Sequence, residues 1–348
     1  MFRTIALIAL AAIPLAACTD QAGNDGATRD QISVVGSSTV FPFTTMVAEQ
    51  FVAKTPGAKA PVIESTGTGG GMSLFCKGVG GQFPDIEDAS RRMKAGEYAM
   101  CKTNGVTDIM EVQIGIDGIA FAEAASGPKL QLTPADVFKA LAATPMNQKN
   151  QAKTWKDVNP ALPATPIQVY GPPSTSGTRD ALAELILAKG CEALMPAMVQ
   201  MKASSPDGYK TICTRIRDDG VYIDAGENDN LIVQKLQANP NAVGIFGYSY
   251  LQENKGRLTG VPLNGIEPTY ETISSGAYPG ARPLYLYVKK AHLAAIPNLG
   301  AFLQVYAEAW APDGPLVKRG LIAAPADIRA KSAAIIKDGT ILDPAILR

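Results

Sequence analysis

The stretch EVQIGIDGIAFAEA, residues 111–124, decides how the rest of the chain is read. It is long, apolar and rich in β-forming residues, and a strand of this length can carry the chain out of one domain and into another. On its N-terminal side, QISVVGSST (residues 31–39) reads as a strand that Gly36 ends. Pro42 then opens a helix with Phe43, Val47 and Phe51 on one face. PVIES (61–65) is a second strand, followed by TGTGGG and a helical segment around Met72 to Phe75, and PDIEDAS (84–90) is a third. On the C-terminal side come a helix near TPADVFKALA (133–142), the strand IQVYG (167–171) and a helix, turn and strand in residues 227–251. A strong β segment, ARPLYLYVKK (281–290), precedes a helix-rich end. Alternating strands and helices with Gly- or Ser-rich turns predict an α/β chain with a mostly parallel sheet.

A chain of 348 residues has room for two domains. Its 46% hydrophobic and 18% charged residues are a globular composition. Thirty-two basic residues against thirty-two acidic ones leave no net charge, so nothing points to nucleic acid or an anionic membrane face as partner.

Arg3, the apolar run Ile5 to Leu15 and the closing Leu15-Ala16-Ala17-Cys18 read as a secretion signal too short to span a bilayer. The last four residues resemble a lipobox, which implies cleavage before Cys18 and lipid on that cysteine; an ordinary signal with an incidental cysteine is the alternative. Residues 19–30, TDQAGNDGATRD, form a polar tether. Cys76, Cys101, Cys191 and Cys213 remain, an even number in an exported chain, with three possible disulfide connectivities. They fall as two local pairs, so Cys76–Cys101 and Cys191–Cys213 are expected. With no Cys-x-x-Cys and His292 as the single histidine, no metal and no cofactor are expected.

Three turns share one chemistry. Gly36-Ser37-Ser38-Thr39, Ser65 to Gly71, and GPPSTSGTRD (171–180) each join a strand to a helix. N–H groups in a helix's first turn favour negative charge, glycine lets backbone approach a ligand, and Ser or Thr hydroxyls add uncharged donors. Any one turn is also an ordinary helix cap, which stabilises by about 1 kcal/mol. Three on successive strand–helix units can surround a small tetrahedral oxyanion, at the carboxyl ends of the strands where open α/β sheets bind ligands. Arg91 and Arg179, each directly after a Ser or Thr, are the candidate cations, since a guanidinium fork suits two-point binding of an oxyanion. Arg92 completes the SRR triplet. The alternative for Arg91 and Arg92 is a solvated pair of surface arginines, and for Arg179 a pairing with Asp180 or Glu184.

VVGSSTVFPF, ESTGTGGG, DIEDASRR and PSTSGTRDAL, in this order, with AVGIFGYSY and RPLYLYVKK after them, resemble the phosphate-binding lipoproteins of the PstS family from about Ile32 onward. The resemblance implies an α/β, two-lobed periplasmic binding protein fold of type II, with a hinge of crossing strands and a ligand cleft between lobes. The layout expected is a signal peptide with lipidated Cys18 (1–18), a flexible tether (19–30), a discontinuous first lobe (31–114 and 268–348) and a second lobe (115–267). The implied function is binding of inorganic phosphate outside the cytoplasm, and its delivery to an ABC permease, by a monomer held to the membrane only through its lipid. The implied ligand residues are Ser38, Thr39 and Val40 in the first turn, Thr68 in the second, and Ser176, Gly177 and Thr178 in the third. Ser90, Arg91 and Arg179 join them. Two departures stand out. Many members carry an arginine where this chain has Pro172, a role Arg179 is placed to take over, and some hold a proton-accepting aspartate where this chain has Ser90. Asp88, Asp117 and Asp180 are the carboxylates that could replace it.

The residues leave other readings open. Another oxyanion or an organophosphate would keep the class and change the ligand. A secreted phosphatase or esterase would use Ser38 or Ser176 as nucleophile, but no Gly-x-Ser-x-Gly elbow is present and His292 lies far along the chain; a Ser-Lys pair stays open. An adhesion or signalling lipoprotein would need exposed apolar patches or tandem modules, and neither is evident.

Overall fold

The computed structural model describes residues 29–37, 39–174, 176–226 and 229–347. The signal segment, Cys18 and the first part of the tether lie outside the described residues, as do Ser38 and Thr175.

Among the described residues nine strands run in chain order: β1 Ser33–Gly36, β2 Val62–Ser65, β3 Ile86–Ala89, β4 Ile109–Ala124, β5 Val169–Gly171, β6 Tyr222–Asp224, β7 Val243–Gly247, β8 Leu258–Gly260 and β9 Ala281–Lys289. They hydrogen-bond in the order β2-β1-β3-β9-β4-β7-β5-β6, with β8 also on β4. The 16-residue β4 is the stretch that opened the sequence reading. Its first part, Ile109 to Gly118, pairs with β9, and its second part pairs with β7 and then β8.

The sheet is mixed, where the sequence pattern predicts a mostly parallel one. β1 runs parallel to β2 and β3, and β5 runs parallel to β6 and β7. β4 and β9 are antiparallel to each other and to every strand beside them. One carries the chain out of the first half and the other brings it back, and strands with opposite directions can only pair antiparallel.

Buried apolar side chains divide along β4. Phe121, Phe138, Trp155, Leu187, Phe246 and Tyr278 belong to one cluster, which takes Ile119 to Ala122 from β4. Val34, Phe51, Ile86, Leu286 and Phe302 belong to a second, which takes Met110, Val112 and Ile114. A third, around Met72, Phe75 and Tyr287, covers the other face of the first half. Each large side chain fully removed from water contributes about 1.5–3 kcal/mol, so each half is held by its own core.

The parallel strands set the turns side by side. Gly36 at the end of β1 is in register with Ser65 on β2 and Asp88 on β3. The helix Phe41–Lys54 follows the first turn, with Pro42 in its first turn and Phe43, Val47 and Phe51 buried; the helix Thr68–Phe75 follows the second.

Among the described residues two disulfides are present. Cys76–Cys101 ties the end of Thr68–Phe75 to the helix Ala95–Thr103, and Cys191–Cys213 joins the helices Ala188–Leu194 and Pro206–Cys213. The second bridge spans 22 residues of sequence. Replacing both Cys191 and Cys213 with serine should lower unfolding free energy by about 3 kcal/mol through the freed entropy of the unfolded loop, read from denaturant unfolding of the reduced-pair variant beside the parent.

Candidate functional site

The first turn is built on close backbone contact. Gly36 has φ +135°, and a Cβ there would lie 2.2 Å from the Asp88 carbonyl oxygen, so only glycine fits. The Ser37 N–H donates to that same carbonyl at 2.7 Å, and the Thr39 N–H donates to Ser37 Oγ at 3.2 Å. Val40 is fully buried at the start of the helix Phe41–Lys54.

The second turn is laced onto the first and onto the end of β3. The Thr66 N–H donates to the Gly36 carbonyl, and Gly71 packs so closely on Gly36 that a Cβ would come within 2.6 Å of the Gly36 Cα. Thr68 Oγ1 accepts the Ser90 N–H at 3.1 Å and lies 3.1 Å from Ser90 Oγ. Only one of the two hydroxyl protons can sit between those oxygens, so the other is left to point elsewhere.

The third turn comes from the other half of the molecule and meets the first. A Cβ on Gly177 would lie 3.1 Å from the Thr39 Cα. Ser176 caps the helix Gly177–Ala181, its Oγ accepting the Thr178 N–H at 3.2 Å. That helix continues through a π-helical turn, Leu182–Leu187. The structure thus sets Thr39 against Gly177, Thr68 against Ser90, and the second turn against the first through Gly71 and Gly36; Ser38 lies outside the described residues.

The cations are placed differently. Arg91 is locked in a two-point pair with Glu97, at 2.9 and 2.6 Å. Arg92 pairs with Glu111 at 3.1 Å. Arg179 lies over the Tyr222 ring, 4.3 Å from its centroid, and donates to the Pro172 carbonyl, which the Tyr222 hydroxyl also reaches. The guanidinium against the turns is Arg282, which the sequence reading took only as part of a strand. It is 6% exposed. Its Nη2 donates to Thr39 Oγ1 at 2.8 Å, its Nε to Asp117 at 3.1 Å, and its Nη1 to Glu184 in the π-helical turn. Asp117 and Arg282 are direct partners across the β4–β9 ladder. An arginine at the start of a strand carries no local signal of this; the ladder register creates it.

Two acids lie buried at the end of β3. Asp88 Oδ2 accepts from Thr44, whose hydroxyl is also bonded to Tyr306, and Asp88 Oδ1 has no partner among the described residues. Burial pushes the Asp88 carboxyl up to about 8, against the opposing hydrogen bond from Thr44. Burial, and then the neighbouring Asp88, holds Glu87 well above the usual carboxylate range, and neither of its oxygens has a partner among the described residues. At neutral pH Asp88 is therefore mainly protonated, and burial favours the neutral form of Glu87 as well, which weakens the repulsion of an anion above them. Asp117 is also raised by burial, against the pull of Arg282.

The turns can thus supply uncharged donors to an oxyanion, with the competing carboxylate charge at the end of β3 weakened. The chain matches a family model described as a PBP superfamily domain over residues 22–309. It belongs to the PBP superfamily, in the family of the PstS proteins. It is 31% identical to the protein SphX of Synechococcus elongatus over 286 residues, which is 80% of this chain and 74% of that protein. It is 29% identical to the phosphate-binding protein PstS of Staphylococcus saprophyticus, over 81% of this chain and 78% of that one. Among solved structures, a possible phosphate binding protein from Planctomyces limnophilus superposes with a TM-score of 0.71 at 28% identity, covering 88% of this chain and 98% of that one. The two-lobed α/β fold of the family is the fold of this chain.

The single histidine of the sequence, His292, makes structural contacts. Its Nδ1 lies 2.6 Å from Asp85 and its Nε2 accepts the Gly80 N–H, which makes Nδ1 the protonated nitrogen. Asp85 precedes β3, whereas the polar turns follow the strand ends, so this pair sits away from Ser176.

The raised carboxyls have a consequence for stability. An acid whose folded-state pKa lies above its ordinary value takes up a proton on folding, so its contribution is complete below the ordinary value and is lost as pH rises through the folded one. For Asp88 that window runs from 3.8 to about 8. Asp88→Asn should therefore lose less stability than the parent across this range, measured as urea midpoints at a series of pH values; Glu87 leaves the parent and the variant a shared residual slope.

Proposed function

We propose that this chain is an extracytoplasmic receptor that binds inorganic phosphate between its two halves and delivers it to an ABC permease. One observation carries the reading. In each turn a hydroxyl oxygen is already occupied as acceptor, by Arg282 at Thr39, by the Ser90 N–H at Thr68 and by the Thr178 N–H at Ser176. Thr39 and Ser176 therefore each have a hydroxyl proton to donate, the Thr68–Ser90 pair has one between its two residues, and the turns come from both halves. A small tetrahedral oxyanion is the ligand that such a ring of short, uncharged donors fits. Relatives named as phosphate-binding proteins support phosphate as that oxyanion.

The ligand set of this reading is Ser38, Thr39, Val40, Thr68, Ser90, Ser176, Gly177 and Thr178, with Arg91 and Arg179 at the margin because their guanidinium groups are engaged elsewhere. The lobes are 31–114 with 268–348, and 115–267. The buried cluster of the second lobe also includes Ile273 and Tyr278, which favours moving the return boundary to about Ala281. A ligand held by both lobes stabilises the closed arrangement by binding it more tightly than the open one. Lipid on Cys18 would hold the receptor at the membrane, with the tether giving it reach. Among the described residues no helix is long and apolar enough to cross a membrane. A binding rather than an enzymatic role fits the placement of His292 away from Ser176, and Lys289, which is bonded through its backbone to Asp85 at the same far end of β3.

Calorimetric titration of a soluble form beginning after Cys18, unfolded and refolded to strip carried-over ligand, tests this. Phosphate heat with no sulfate heat is expected. Equal binding of sulfate would keep the fold and change the ligand, and heat from neither would favour the organophosphate, adhesion or enzyme readings. Thr39→Val should weaken phosphate binding at least about tenfold, because it removes a hydrogen bond to a charged group; unchanged affinity would take the first turn out of the site.

A further inference from the structure

We propose that Arg282 is the positioning residue of the anion site, holding the Thr39 hydroxyl as a donor from the hinge. The inference deepens the phosphate reading above and rests on it.

The geometry makes the case. A hydroxyl that accepts a hydrogen bond from a guanidinium cannot also point its proton at that group, so the Thr39 proton is turned away from Arg282. Thr39 lies against Gly177, between Ser176 and Thr178, so a ligand reached by that proton sits on the seam between the halves. Arg282 has five N–H groups and three are used, one each on Asp117, Glu184 and Thr39. Its contacts therefore fix its plane while leaving two donors.

The other guanidinium groups near the turns are committed. Both Nη atoms of Arg91 lie on the Glu97 carboxylate, which cancels the charge at close range. Arg179 is turned onto the Tyr222 ring and the Pro172 carbonyl. Arg282 also lies on two acids, Asp117 and Glu184, which hold its plane so that its third contact fixes the Thr39 hydroxyl. Glu184 has a side chain 63% exposed, so water screens it, and burial raises the Asp117 carboxyl against the pull of Arg282.

The three partners of Arg282 also come from three places: β4, the π-helical turn of the second half and the first turn of the first half. Its fork is complete only when the halves meet. A lysine carries the same charge but has no rigid planar fork with which to hold three partners at once.

Titration with inorganic phosphate of the parent, Arg282→Gln, Arg282→Lys, Thr39→Val and the Arg282→Gln/Thr39→Val double variant decides this. Arg282→Gln is expected to lose at least about tenfold in affinity, and Arg282→Lys to recover only part of it. The double variant is expected to bind about as weakly as the weaker single one, because both changes remove one coupled unit. Additive losses would mean that Arg282 acts only on the hinge and would overturn the proposal, as would parent-like affinity of Arg282→Gln or Arg282→Lys. If circular dichroism shows Arg282→Gln unfolded, Arg282→Lys alone decides by the same criterion. A parent that binds no phosphate overturns the phosphate reading and this proposal together, whereas a binding parent with unaffected variants overturns only this one.

Discussion

The antiparallel ladder between β4 and β9 is the constraint on which the rest of the molecule depends. β4 takes part in both halves and β9 pairs with its first part, so the strands of each half are placed with respect to this ladder. β3 pairs with β9 and carries the first half, and β7 and β8 pair with β4 and carry the second. Because β1, β2 and β3 are in register at Gly36, Ser65 and Asp88, two polar turns leave the sheet at one place. The third arrives from β5 across the seam, where Gly177 meets Thr39. Cross-strand opposition of Asp117 and Arg282 then puts a cation at that meeting point, an arrangement in which opposite charges on facing residues also strengthen the ladder.

Electrostatics at the site follow from burial more than from charge count. A chain with no net charge has no long-range field to gather anions. Its turns instead offer hydroxyl and backbone dipoles in positions already fixed by packing. Asp88 and Glu87 would oppose an anion if ionised, but their removal from water favours the neutral form of each. The same burial ties site and stability together, since the two carboxyls that protect the site from repulsion are those that make stability fall with rising pH.

The sequence reading was closest where the signal is local. The strand and helix at Gly36 and Pro42, the helix after TGTGGG and the cap at Ser176 each rest on backbone preferences of a few adjacent residues. The two cysteine pairs were also legible, because each closes a short loop within one half. The direction of pairing was less so. Alternation of strands and helices suggests parallel neighbours, and nothing local in ARPLYLYVKK says that it returns beside EVQIGIDGIAFAEA in the opposite sense.

Sequence by itself determined the element order, the three donor-rich turns and the apolar length of the hinge strand, since these depend on side-chain size, hydrogen-bonding groups and glycine within a few residues. Tertiary structure alone decided which charges face the turns. Arg91 follows a serine and Arg179 a threonine, yet both are taken up by neighbours, while Arg282 reaches Thr39 across 243 residues of chain. The physical reason is that a guanidinium takes the partners that the fold brings within hydrogen-bonding distance, and for Arg282 those come from β4 and from turns in both halves.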